Sequence, residues 1–337
     1  MSESTHRHTG SPATPKPDDA ERRAAAARIV GALIDALDAT LSCRRSALEL
    51  SVLTLASGGH LLLEDVPGIG KTTLARALAR AIRGSVARIQ FTPDMLPSDV
   101  TGVSIFNQQL QEFTFHRGPL FAQIVLADEI NRANPKTQAA MLEAMEERRV
   151  TVDGTTYELP RPFIVIATQN PIEMEGTYPL PEAQLDRFMC RLSLGYPDQQ
   201  TEARMLMAPS GRDPLASLKP VCSARDLAAI TATAARIHVA PAVASYAVAL
   251  LNATRTSTRT RLGASPRAGL ALLAMSRMRA LVNGQAAVYA GDVRAMAPHV
   301  LTHRVVFSDP SVASGPLERQ QETLELILSD VPAPHRA

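Results

Sequence analysis

The sequence predicts an α/β fold, a parallel sheet with helices on both faces, followed by an all-α domain. Three observations predict it. Residues 61–73, LLLEDVPGIGKTT, run an apolar segment into a glycine-bearing turn, Lys-Thr and a helix, which is the order of a phosphate-binding loop. Short apolar runs at 85–90, 123–127, 163–168 and 190–194 alternate with helical stretches, as a parallel sheet requires. Beyond residue 221 the strand pattern stops and Ala-rich helical segments follow.

Residues 1–19 are rich in Ser, Thr, His, Pro and Gly and read as a disordered tail, so His6 and His8 carry no metal argument. Over 20–41 the apolar residues Ile29, Leu33, Ile34 and Leu37 recur at helical spacing. A second helix at 45–56 packs against the strand that follows Gly58-Gly59. The apolar end of that strand opens into the segment Pro67, Gly68, Ile69, Gly70, Lys71, Thr72 and Thr73. There Gly68 and Gly70 let the backbone approach an anion without a Cβ in the way. The N–H groups of the turn and of the following helix, which runs through 74–82, point at that anion. Lys71 is the candidate to reach the β- and γ-phosphates of ATP, and the Thr72 hydroxyl is a candidate Mg²⁺ ligand. One position departs from the motif. Its first glycine belongs five places before the Gly preceding Lys, and Asp65 stands there. Asp tolerates a left-handed turn better than most residues, so the departure weakens the motif without removing it.

After this loop come a strand at 85–90, a loop at 92–102 and a hairpin over 103–115 around Asn107-Gln108. The strand 123–127 ends in Asp128-Glu129. Residues 134–147 form a helix with Met141, Leu142 and Met145 on one face. A second hairpin, 149–159, turns at Asp153-Gly154. The strand 163–168 ends at Gln169-Asn170-Pro171, a short helix covers 181–188, and the last strand is 190–194. Residues 208–221 read as a linker. Helices are expected at 224–237, 241–255, 266–282, 291–300 and 317–328, with Pro241 and Pro266 at starts that tolerate a missing N–H. The expected division is a tail at 1–19, an α/β domain with two hairpin inserts at 20–208, a linker at 209–222, a helical lid at 223–330 and a tail at 331–337.

Composition narrows the function. The net charge of +2 gives no global field for nucleic acid or membrane, and with no Trp and 4% aromatics a base-stacking surface is not expected. Nearly all basic residues are Arg; the lysines are Lys16, Lys71, Lys136 and Lys219, one of them in the phosphate loop. Cys43, Cys190 and Cys222 follow no ligand spacing and read as reduced thiols. With no apolar signal core and no membrane span, a cytoplasmic protein is expected.

A phosphate loop needs acids at the end of a neighbouring strand, and IVLADE supplies them: Asp128 for the Mg²⁺ shell, Glu129 to polarise the attacking water. Asn170 either bonds the γ-phosphate or the water, or is a plain Asn-Pro turn. Arg187 in LPEAQLDRF is either a cation for the developing charge, reaching a neighbouring subunit's nucleotide, or a surface arginine paired with Asp186 or Glu182. Arg267 in GASPRAG could touch the γ-phosphate from the lid side; a cation at a helix start opposes the helix dipole, which favours a functional reason for it.

With these elements in this order the chain resembles the AAA+ ATPases and, within them, the MoxR family. The stretches that carry the resemblance are LLLEDVPGIGKT, RIQFTPDMLPSDVTG, FHRGPLF, LADEINRANPKTQAAMLEAMEE, ATQNP, YPLPEAQLDRFM and GASPRA. The resemblance implies an ASCE-type sheet with the phosphate-loop strand central, and a helical lid. It matches Lys71 and Thr72 to Walker A, Asp128 and Glu129 to Walker B, Asn170 to sensor 1, Arg187 to the arginine finger and Arg267 to sensor 2. The two hairpins match the helix-two and pre-sensor-1 inserts. It further implies a ring, usually a hexamer, acting as a chaperone on client proteins that often carry a von Willebrand A domain or a metal or cofactor. Phe106 and Phe113 on the first hairpin are either client-contact residues or packing residues of the sheet edge. The rival readings are an AAA+ motor on nucleic acid, which lacks a basic stripe or appended DNA-binding domain here, and an ATP-gated scaffold with little turnover.

Overall fold

Alternation along the strands decides how the sheet is covered. In the computed structural model, which describes residues 17–65, 68–109, 111–169, 177–197, 199–207 and 213–334, α1 (Pro17–Asp38) and α2 (Arg45–Ala56) precede β1 (Leu61–Glu64). Then come α3 (Lys71–Ala81), β2 (Val86–Gln90), α4 (Pro97–Thr101), β3 (Gly102–Asn107), β4 (Glu112–Arg117), β5 (Ile124–Asp128) and α5 (Pro135–Glu147). The α/β part finishes with β6 (Arg149–Val152), β7 (Thr155–Glu158), β8 (Ile164–Gln169), α6 (Glu182–Leu185), β9 (Cys190–Leu192) and α7 (Gln199–Met207). Leu61, Leu63, Ile124, Leu126, Ile164 and Ile166 face one core with α1, α2, α3 and the C-terminal helices. Leu62, Val125, Ala127, Val165 and Ala167 face a second core with Met141, Leu142 and Met145 of α5. A strand buried on both faces reads as a continuous apolar run, which is why the sheet was visible in the sequence.

The sheet is parallel, in the order β2-β5-β8-β1-β9. β8 takes the middle and β1 lies beside it, so the phosphate-loop strand is an inner strand and not the central one. The C-terminal ends of β1, β5 and β8 share one edge of the sheet, where an open α/β sheet binds ligands. The inserts are the antiparallel pairs β3-β4 and β6-β7, and they meet where Phe115 stacks on Tyr157 with centroids 4.2 Å apart.

The C-terminal part consists of α8 (Ala224–Ala235), α9 (Pro241–Thr256), β10 (Thr260–Leu262), α10 (Pro266–Val282), α11 (Ala290–Leu301), β11 (Val306–Phe307), α12 (Pro310–Ala313) and α13 (Leu317–Leu328). It is not purely helical: β10 and β11 form a short antiparallel pair, too brief for periodicity to reveal. Four further expectations change. α1 begins at Pro17, inside the expected tail, because proline fits the first helical position. The 92–102 loop holds α4, whose first turn is fixed by the Asp99 carboxylate accepting the Leu96 N–H at 2.8 Å. α7 is a helix of strong helix formers in a stretch for which the sequence pattern predicts no element. The described part of the expected linker is packed chain, with Leu215 and Leu218 buried and Val221 N–H donating to the Ala81 carbonyl.

Candidate functional site

The site grows from the end of β1. Gly70 caps α3 at φ 96° and Gly68 sits at φ 91°, left-handed conformations that glycine adopts freely. Lys71 is buried, and its ammonium donates to the Asp65 carbonyl at 3.0 Å, closing the loop on itself. Thr72 and Thr73 follow in the first helical turn, whose N–H groups have no intrahelical acceptors. Pro67 lies outside the described residues, as does Asn170. Asp65 is not a turn residue: its φ is not positive, and its buried carboxylate accepts Ser193 Oγ at 2.6 Å and Leu194 N–H at 2.7 Å. An acceptor that ties the end of β9 to the phosphate loop, and not tolerance of a left-handed turn, explains aspartate at the place of the motif's first glycine.

The paired acids stand on the same edge. Thr168, buried on β8, donates its hydroxyl to Asp128 Oδ1 at 2.7 Å and accepts the Glu129 N–H at 2.9 Å. That bond supports Glu129 in a left-handed conformation, φ 56° and ψ 52°, unusual for a side chain of this size. Asp128 Oδ2 accepts Arg88 Nη2 at 2.7 Å, and Glu129 Oε2 accepts Gln90 Nε2 at 3.1 Å and Arg132 Nε at 3.2 Å. Sequence reasoning missed Thr168, Arg88 and Gln90. The Arg-x-Gln alternation on β2 was the available signal, since it puts both side chains on one side of a strand beside the acids.

The two arginines stand elsewhere. Arg187 Nη2 meets Glu146 Oε2 at 3.1 Å and Arg267 Nη1 meets Glu146 Oε1 at 3.0 Å, so one carboxylate gathers both. Neither Asp186 nor Glu182 is the partner of Arg187. Asp186 instead joins the segment to the lid, accepting Arg304 Nε at 2.7 Å and Ser265 Oγ at 3.0 Å. Ser265 caps α10, the helix that carries Arg267. Burial lowers the Arg304 pKa to about 10, an effect that Asp186 opposes. Glu146 follows Met145, whose carbonyl bonds His60 Nε2 at 3.2 Å, just before β1. The arginines therefore lie where β1 begins, while Lys71 lies beyond its end, about 13 Å of strand away. Burial lowers the His60 pKa to about 4, and its Nδ1 accepts the Val165 N–H at 2.9 Å, so the ring is held neutral.

Fold and site define a P-loop ATPase of the AAA+ class with a lid. The model of the ATPase family associated with various cellular activities (AAA) matches residues 60–190, and the AAA lid domain model matches 252–327. The uncharacterized protein YeaC of Bacillus subtilis is 45% identical over 278 residues, covering 82% of this chain and 87% of its own. The chaperone MoxR1 of Mycobacterium tuberculosis is 40% identical over 316 residues, covering 91% and 83%. A crystal structure of an ATPase candidate from Cytophaga hutchinsonii superposes with a TM-score of 0.84 at 34% identity, covering 93% of this chain and 97% of that one. The chain belongs to the MoxR family of AAA+ ATPases. No helix among the described residues is long and apolar enough to cross a membrane.

Proposed function

We propose that this ATPase is Mg²⁺-dependent, works as a ring whose sites are shared between neighbours, and spends ATP on remodelling client proteins. The observation that carries the shared site is the position of Arg187 and Arg267. Both sit on Glu146 at the edge of the sheet opposite the chain's own Lys71, so the nucleotide they can serve is a neighbour's. The proposed division is an α/β domain at 20–208, a linker at 209–222 and a lid at 223–330, with short tails at either end.

In this reading the α3 N-terminus, Gly68, Gly70 and Lys71 bind the phosphates, with Pro67, Ile69 and Thr73 completing the cradle. Asn170, by the family's pattern, bonds the γ-phosphate or the attacking water. Thr72 and Asp128 are oxygen donors of the kind Mg²⁺ takes, and Asp128 Oδ2 already draws the cationic Arg88. Mg²⁺ bound there would neutralise charge on the β- and γ-oxygens. Thr168 holds the Asp128 carboxylate and the Glu129 backbone in place, and Glu129 polarises the attacking water. The arginines of the next subunit stabilise the charge that develops on the transferred phosphoryl group.

The client surface is the β3-β4 hairpin. Phe106 and Phe113 face each other there with ring centroids 5.3 Å apart and remain 44% and 73% exposed, which favours contact with a client over packing at a sheet edge. By family resemblance the client is a von Willebrand A domain protein or a metal or cofactor enzyme. ATP turnover per subunit measured against protein concentration tests the shared site. Turnover should climb with concentration, and flat turnover would refute it.

A further inference from the structure

We propose that Arg304 of the lid is a positioning residue for Arg187, setting the direction in which one subunit offers that arginine to its neighbour's nucleotide. The inference rests on the shared-site reading above. Arg304 ends the 3₁₀ turn Thr302–Arg304 that follows α11, and its side chain is 2% exposed. A guanidinium has five N–H donors, and here each has an acceptor. Nε donates to Asp186 Oδ1 at 2.7 Å. Nη1 donates to the carbonyls of Met189, at 3.3 Å, and of Val300. Nη2 donates to the carbonyls of Asp186, at 3.1 Å, and of Phe188. All but the bond to Val300 grip residues 186–189, the segment that carries Arg187. His303 Nε2 donates to the Phe188 carbonyl as well, at 2.8 Å.

The same joint sets the second arginine. Asp186 Oδ2 accepts Ser265 Oγ at 3.0 Å, and that Oγ accepts the Ala268 N–H as the cap of α10. One carboxylate thus ties the residue before Arg187 to the helix start that carries Arg267. On its far side the segment is pinned to the sheet, where the Met189 N–H donates to the His60 carbonyl at 2.8 Å. The ion pair of Arg187 with Glu146 is partly exposed and contributes too little to aim the side chain. The aim comes from the backbone at 186–189, and that backbone is held by buried bonds to a charged donor, the strong kind. A lid that shifts against the sheet must carry Arg187 with it or break those bonds. If Arg304 were only a staple between lid and sheet, its loss would act within its own subunit, whose cleft the lid residue Pro316 also lines. As a positioning residue it acts on the neighbour.

The test is complementation in mixed assemblies. Arg304→Lys keeps the charge but loses the fork of donors, and Asp186→Ala cuts the same joint from the other side. Each should bind a fluorescent ADP analogue about as tightly as the wild type, because its own phosphate loop is untouched. Each should lower turnover about tenfold or more, since a misplacement of about 1 Å is enough for such a loss. Glu129→Gln carries an intact Arg187. Mixed with it in equal amounts, each joint variant should recover about a quarter of wild-type turnover, because one interface in four pairs an intact Glu129 with a well-held Arg187. The control is Glu129→Gln mixed with Arg187→Ala. If one joint variant has lost ADP binding, the other decides. A control that recovers while the joint variants do not would overturn the positioning role alone, as would joint variants with wild-type turnover or loss of ADP binding in both. An inactive control would overturn the shared site and the positioning role with it.

Discussion

Restoring glycine at position 65 should damage this protein. The Asp65 carboxylate is buried and accepts two short bonds, from Ser193 Oγ at 2.6 Å and from the Leu194 N–H at 2.7 Å, with Gly195 N–H at 3.4 Å. Bonds to a charged acceptor contribute about 1.5–3 kcal/mol each, and the fully buried Leu194 would keep an unpaired N–H. Asp65→Gly should therefore cost about 3–5 kcal/mol, to which glycine's backbone entropy adds up to about 1 kcal/mol. In thermal unfolding that is a fall of roughly 10 °C. Nucleotide affinity should fall as well. The segment that Asp65 ties down lines a cleft of about 350 Å³ beside the phosphate loop, together with Arg44, Ile69, Tyr196 and Pro316. Asp65→Asn keeps one acceptor and should lose less on both counts. A glycine variant as stable as the wild type, with tighter ADP binding in a fluorescence titration, would refute this reasoning.

Three other perturbations follow from the geometry. Thr168→Val keeps the shape but removes the hydroxyl shared by Asp128 and Glu129, and should cost about 1–3 kcal/mol in denaturant titration and lower turnover at least tenfold. Glu146→Ala removes the carboxylate that gathers Arg187 and Arg267. Because all three are partly exposed, stability should change by less than about 1 kcal/mol, while turnover at high protein concentration falls several-fold. Above pH 6.5 neither folded nor unfolded His60 binds a proton; between 6.5 and about 4 only the unfolded chain does, so stability should fall as the pH falls. The full effect is about 3 kcal/mol, and His60→Asn should flatten the decline in unfolding free energy over that window.

What the sequence disclosed, and what it hid, follows from the range of the interactions. The phosphate loop was legible because glycine, Lys71 and the helix start are neighbours in the chain. The strands were legible because burial on both faces leaves unbroken apolar runs such as 124–127. Arg187 and Arg267 were legible as residues but not as a pair. Their meeting depends on β9 lying against β1 and on Arg304 holding Asp186 across 118 positions, and no local pattern encodes either. Asp65 was visible as an exception, yet its reason, two donors at 193 and 194, lay on another strand's end. Arg88 and Gln90 look like ordinary polar residues of an edge strand until the register sets Gln90 against Asp128.

The most direct test of the shared site is a mixing experiment with Glu129→Gln and Arg187→Ala. Each variant alone should be nearly inactive. An equimolar mixture, assembled at high concentration, should recover about a quarter of wild-type turnover, because random assembly places an intact Glu129 opposite an intact Arg187 at one interface in four. An inactive mixture, or an Arg187→Ala protein that is active by itself, would contradict a site built from two subunits.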